Sequence, residues 1–197
     1  MRTFFTTLAL GLALSQPAEA ISALHGTTTD NAILPIDTRC SVSAGAPVID
    51  YGTQSRWQLQ DVAGGQKVTP GKRMLMVSVV CPHTQTMRLT LRGDRAGNGD
   101  LRYGDRGSVS LRLLEAQLDG QNVQVAATTP DGMLSGAPES SLLLQPGNSL
   151  VATLNGQPAK GKSFTARIEL EPVMPESAAR VSARQISESN LTLELMD

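Results

Sequence analysis

The sequence predicts an all-β fold, a sandwich or barrel of short strands. Apolar residues recur with period two along most of the chain, whereas helical spacing is nearly absent. Turn signals built from Gly, Pro, Asn and Asp separate the alternating runs at short intervals. Many short strands without intervening helices suit two packed sheets or one closed sheet.

The N-terminal segment stands apart from that pattern. Arg2 precedes an apolar stretch over residues 4–14, and polar Ser15-Gln16-Pro17 follow it. Ala18-Glu19-Ala20 then gives the small-x-small pattern of a secretory cleavage site. The apolar stretch is shorter than the roughly 20 residues that span a bilayer. Residues 1–20 therefore read as a signal peptide, and cleavage after Ala20 removes 20 of the 197 residues. What remains has the length of one ordinary domain with an extension.

The strands follow in order. Leu75, Val77 and Val79 alternate with Met74, Met76 and Ser78 in a nearly continuous apolar run ending at Cys81, which reads as a strand buried on both faces. Met87, Leu89 and Leu91 alternate with Arg88, Thr90 and Arg92, a half-buried strand. Val109, Leu111 and Leu113 repeat the pattern around Ser110 and Arg112. Phe164, Ala166, Ile168 and Leu170 do so against Thr165, Arg167 and Glu169, and Leu191, Leu193 and Leu195 against Thr192 and Glu194. Asp119-Gly120, between Leu118 and the Val123/Val125 pair, predicts a hairpin. Pro146-Gly147 and Asn155-Gly156 mark turns on either side of residues 150–154. Gly64-Gly65 and Pro70-Gly71 bracket a short polar stretch, and residues 176–184 suit a helical turn used as a connector.

Charge and cysteine content narrow the function classes. Without Arg2 and Glu19, 16 of 17 basic and 17 of 18 acidic residues remain, so the net charge stays at −1. Arg and Asp are interspersed over residues 88–112, and no positive cluster invites nucleic acid or an anionic membrane. No membrane insertion of the mature chain is expected. Cys40 and Cys81 form an even count in an exported chain and predict a disulfide. Two cysteines alone make a poor metal site, which needs further ligands at set spacings.

No catalytic set is visible. His25 and His83 are the two histidines, and neither stands in a metal-ligand spacing. A Gly-x-Ser-x-Gly elbow, a phosphate loop and a dinucleotide fingerprint are all missing from the sequence. Aromatic residues make up 3%, which argues against a sugar-stacking cleft. Trp57 lies in an apolar-periodic segment and is expected in the core. Asp94-Arg-Ala-Gly-Asn-Gly-Asp100, with Asp105 beyond it, loosely resembles a calcium loop. Ala96 stands where a ligand oxygen is needed, and a short Asp replaces the bidentate Glu, so a Gly-rich turn is expected instead. The expectation is a protein without enzymatic activity, cofactor or metal.

Cys40-Ser-Val, then Val48-Ile-Asp-Tyr-Gly52, then Cys81 at the end of a strand are followed by a final strand pair. That pair is Phe164-Thr-Ala-Arg-Ile168 and Leu191-Thr-Leu-Glu-Leu195. In order and spacing this resembles the subunits of bacterial chaperone–usher pili, or fimbriae, across essentially the whole mature chain. The resemblance implies an immunoglobulin-like β-sandwich over residues 37–197 that lacks its last strand, preceded by an extension over residues 21–36. It also implies three partners: a periplasmic chaperone that lends the missing strand, an outer-membrane usher, and neighbouring pilus subunits. The next subunit's N-terminal extension replaces the chaperone strand. Head-to-tail addition builds an open filament at the cell surface that contributes to adhesion.

Carried onto this chain, the resemblance makes Leu191, Leu193 and Leu195 the groove strand and the Asp197 carboxylate the chaperone anchor. Ile21, Ala23, Leu24 and Gly26 become the donor segment. Two departures stand out. Met196 occupies a penultimate position that is usually aromatic, with the leucines in the opposite register, and the donor segment turns polar at His25. A weak donor points to a minor or terminal subunit, or to partial use of residues 32–36. The alternative expectation is a self-contained secreted sandwich or tip adhesin. It would recognise a host glycan or protein through residues 94–105 and 128–139.

Overall fold

A computed structural model describes residues 39–196 of the chain. The expected signal peptide, the donor residues Ile21, Ala23, Leu24 and Gly26, and the Asp197 carboxylate lie outside the described residues.

The described chain is almost entirely β. Its strands are β1 (Ser41–Ala44), β2 (Gln60–Asp61), β3 (Lys67–Thr69), β4 (Arg73–Thr86), β5 (Arg88–Gly93), β6 (Leu101–Tyr103) and β7 (Gly107–Leu118). They continue with β8 (Gln121–Asn122), β9 (Gln124–Thr128), β10 (Ser141–Leu144), β11 (Ser149–Leu154), β12 (Gln157–Pro158), β13 (Lys160–Pro175) and β14 (Leu191–Met196). One short helix, α1 (Glu176–Ala179), falls within the expected connector.

Two antiparallel sheets face each other. The first runs β1-β4-β13-β7, with β6, β8 and β10 also on β7 and β3-β2 continuing at the far end of β13. In the second, β14 pairs β5, β5 pairs β11, and β9 and β12 also pair β11. Taken in chain order, β1, β4, β13 and β7 occupy the A-B-E-D places of an immunoglobulin-like sandwich, and β5 and β14 the C and F places. The expected fold class is therefore present.

The core is the alternation seen in the sequence, folded inward. Leu75, Val77 and Val79 of β4, Phe164, Ala166 and Ile168 of β13, and Leu111 and Leu113 of β7 are buried in the first sheet. Leu89 and Leu91 of β5 and Leu150 and Ala152 of β11 meet them from the second. Met87, fully buried, marks the point where the chain passes from β4 in one sheet to β5 in the other.

The disulfide joins Cys40 and Cys81, whose Cα atoms are 4.2 Å apart. Ser41 pairs Val80 in the β1–β4 ladder, so the two cysteines continue the register by one step.

Both glycine hairpins form as two-residue turns. Leu118 pairs Gln121 across Asp119-Gly120, whose φ angles are 49° and 79°. Leu154 pairs Gln157 across Asn155-Gly156, at 51° and 78°. Positive φ at both central positions is the type I′ geometry that Asn, Asp and Gly tolerate. Val125 does not continue the first hairpin: β9 has left the first sheet and pairs β11 in the second.

Three expectations need correction. Residues 74–81 do not form a strand buried on both faces. Leu75, Val77 and Val79 are buried, but Met74, Met76 and Val80 are about half exposed, because among the described residues no further layer covers the outer face of the first sheet. Trp57 is not in the core: it is 93% exposed on a single 3₁₀ turn over Arg56–Gln58. The bracketed polar stretch contains β3, whose Val68 is fully buried. A three-residue strand is too short to display a period.

Candidate functional site

The second sheet ends at β14. Leu191 pairs Gly93, Leu193 pairs Leu91 and Leu195 pairs Leu89, so one side of β14 is satisfied by β5. Among the described residues no strand pairs its other side. Leu191, Leu193 and Leu195 pack against the core yet remain only partly buried, and Thr192 between them is exposed. Arg92 Nε donates to Glu194 Oε2 at 2.8 Å on the opposite face. Strand β1 is the corresponding border of the first sheet, and among the described residues it pairs β4 alone.

A cleft of about 640 Å³ opens where β1 ends and β14 begins. Ala44, Ile49, Tyr51, Leu101, Leu170 and Leu191 are among its walls, drawn from both sheets and from the segment after β1. That segment is held by a local turn. Asp50 Oδ1 accepts the Gly52 N–H at 2.7 Å, with Gly52 at φ 70°. An Asp side chain bonding two residues ahead, followed by a residue in the left-handed region, is what Asp-x-Gly supplies cheaply. Gln54 Nε2 donates to the Tyr51 carbonyl at 2.9 Å and braces the same turn.

The turn carries Tyr51 into the cleft. The Arg73 guanidinium lies 5.6 Å from its ring centroid. The Tyr51 hydroxyl is buried and has no hydrogen-bond partner among the described residues. Burial pushes its pKa up to about 12, with the Arg73 charge opposing the rise. Burial also raises Tyr103, which lines the same cleft. The opposite wall is the chain just before β14. Ser189 Oγ donates to the Arg102 carbonyl, and the Gly104 N–H donates to the Glu188 carbonyl at 2.9 Å.

Other sequence candidates lie elsewhere. The loop after β5 closes on itself: Asn98 Nδ2 donates to Asp100 Oδ2 at 2.7 Å, and the Ala96 N–H donates to the Asp100 carbonyl. Gly99 takes φ 90° there, as expected of a Gly-rich turn. Among the described residues no three His, Cys, Asp or Glu side chains cluster as a metal site would require. His83 is exposed near the end of β4. In the sequence the Asp50-Tyr51-Gly52 stretch is a landmark of the resemblance, and nothing there assigns Tyr51 to a site. Its signal was the turn chemistry of Asp and Gly directly after apolar Val48-Ile49.

Comparison with known proteins gives little beyond this. No family model matches the chain, and no curated protein matches it. A solved structure of the P pilus rod subunit PapA matches at 16% identity over 80% of this chain and 97% of that one. The TM-score is 0.33.

Proposed function

We propose that this chain is a structural subunit of a chaperone–usher fimbria, assembled by strand donation. The observation that carries the reading is the border strand β14. Its outer side has no partner among the described residues, and its leucines are left partly buried, with Leu191 at the edge of a cleft whose walls include Ile49, Leu101 and Leu170. An unpaired, apolar sheet border invites a further strand, and main-chain hydrogen bonds to such a strand supply affinity while side-chain pockets supply specificity. In the immunoglobulin-like order, the place beyond β14 is that of the final strand.

A periplasmic chaperone would fill that place first, in concert with an outer-membrane usher. The N-terminal extension of a neighbouring subunit would then replace it, and the filament at the cell surface would contribute to adhesion. Expression of the exported chain with and without a candidate chaperone tests the reading. Without one the protein should be degraded or aggregate, and with one it should co-purify as a one-to-one complex. Recovery of a stable, two-state monomer would overturn it in favour of a self-contained sandwich.

A further inference from the structure

We propose that Asn155 is a modification site of this protein, converted without an enzyme into aspartate and isoaspartate by attack of the Gly156 nitrogen on its side chain. The inference stands apart from the strand-donation reading. It comes from four places among the described residues where Asn or Asp directly precedes Gly: Asn98-Gly99, Asp119-Gly120, Asp131-Gly132 and Asn155-Gly156. Glycine in second place leaves the attacking nitrogen unhindered, so each pair carries the same intrinsic chemistry.

Three of the four are held out of reaction. Asn98 Nδ2 donates to Asp100 Oδ2 at 2.7 Å and to Ser108 Oγ at 3.1 Å, and Asn98 Oδ1 accepts the Asp100 N–H at 3.3 Å. The Gly99 N–H is itself engaged, donating to the Ala96 carbonyl at 3.0 Å. Asp119 Oδ1 accepts the Ser163 and Lys162 N–H groups, and an ionised carboxylate so held is a poor electrophile. Asp131 has a carboxyl in place of the amide, and the Gly132 N–H donates to the Thr129 carbonyl at 2.9 Å.

Asn155 has none of these restraints. It is exposed, and among the described residues neither its side chain nor the Gly156 N–H makes a hydrogen bond. Nothing lies within 4 Å of where a Gly156 side chain would stand, so a ring has room to form. Ring closure needs the tip to leave its turn briefly, and the hold on it is short. β12 has two residues, of which Pro158 has no N–H, and the next bond along runs from the Ala159 N–H to the Ala152 carbonyl.

In the reaction the Gly156 nitrogen loses its proton and bonds to Asn155 Cγ, while the Cγ–Nδ2 bond breaks and Nδ2 leaves with a proton as ammonia. Water then opens the cyclic imide at either carbonyl, with no change of oxidation state. Opening at Cγ gives aspartate, which fits the turn: Asp119-Gly120 takes φ 49° and 79°, against 51° and 78° at Asn155-Gly156. Opening at the main-chain carbonyl gives isoaspartate, whose longer backbone cannot keep Leu154 opposite Gln157 across two residues. Either product adds a negative charge to a chain of net charge −1.

The test keeps the purified folded chain, alone or with the partner that co-purifies, at mildly alkaline pH over days. Tryptic fragments 96–102 and 113–160 report Asn98 and Asn155 through the mass gained when NH2 becomes OH, and fragment ions assign the residue. Asn155 should react about tenfold or more faster than Asn98, which must first surrender its hydrogen bonds. In concentrated urea the two rates should converge. Asp100→Ala combined with Ser108→Ala should raise the Asn98 rate toward that of Asn155. Asn155→Gln, whose side chain closes a larger ring only slowly, should abolish the gain at that position. Equal rates at Asn98 and Asn155 in the folded protein would overturn the proposal. So would an Asn155 that stays intact in the folded protein while the chain in urea reacts.

Discussion

The Asp119 carboxylate accepts the Ser163 N–H at 2.8 Å, while the Asp119 N–H donates to the Ser163 carbonyl at the same distance. The Lys162 N–H reaches the same carboxylate oxygen at 2.9 Å. A turn residue forced to positive φ by the β7–β8 hairpin thus also fastens the start of β13, beside the irregularity between Gly161 and Ser163.

The hydrogen bonds from the Ser163 and Lys162 backbone hold the Asp119 carboxyl below its ordinary range. A folded-state value lowered in this way contributes stability that is complete above the unfolded value near 3.8. It is lost as pH falls through the folded value. Asp119→Asn tolerates the same backbone conformation and retains an acceptor oxygen. Its stability should therefore decline less than the parent's in the acid range below about pH 4, as followed by urea midpoints across that range.

Tyr51 gives the opposite sign at the other end of the pH scale. Its folded value lies above the unfolded 10.0, at about 12. The contribution is complete below about pH 10 and lost as pH climbs from there toward 12. In Tyr51→Phe this part of the alkaline decline should disappear, a difference that circular dichroism melts at increasing pH would register.

Replacing both Cys40 and Cys81 by Ser releases a closure spanning a sequence separation of 41. The chain-entropy account puts the loss on the order of 4 kcal/mol, a large part of a small domain's stability. Denaturant titration of the Ser double variant and of the reduced parent should agree. A midpoint unchanged by reduction would contradict the estimate.

Two aromatic residues should behave in contrary ways. Phe164 is 1% exposed in the core, and Phe164→Ala should cost about 3–5 kcal/mol. Trp57 is 93% exposed, and Trp57→Ala should stay within about 0.5 kcal/mol of the parent. The indole emission of the folded protein should already sit where a solvated indole emits and respond fully to a soluble quencher. A blue-shifted, protected emission would place Trp57 against a surface that its position here does not provide.

Much of this architecture is legible in the chain because one face of each sheet meets the core. β13 alternates in and out for that reason, and Asp119-Gly120 and Asn155-Gly156 announce their turns through backbone chemistry that few other residues tolerate. β4 misleads because apolar character alone does not say whether a second layer exists to cover Met74, Met76 and Val80. Glu115 gives no warning either. It sits at φ 47° within β7, where the pairing with β13 shifts between Thr165 and Arg167, and its carboxylate meets Arg167 Nη2 at 2.5 Å. Glu carries no local preference for that conformation. The leucines of β14 could be named from periodicity, whereas the cleft could not. Its walls come from Ala44, Tyr51, Leu101, Leu170 and Leu191, positions that only the finished topology brings together.

Strand β13 pairs β4 along one side and β7 along the other, with Ile168 opposite both Leu75 and Leu113. Its residues are synthesised long after those of β4, which therefore has no central neighbour while some seventy intervening residues emerge. Pairings of such sequence separation form slowly and leave sheet borders open in the meantime. The nascent chain is thus at greatest risk of misassociation before β13 arrives.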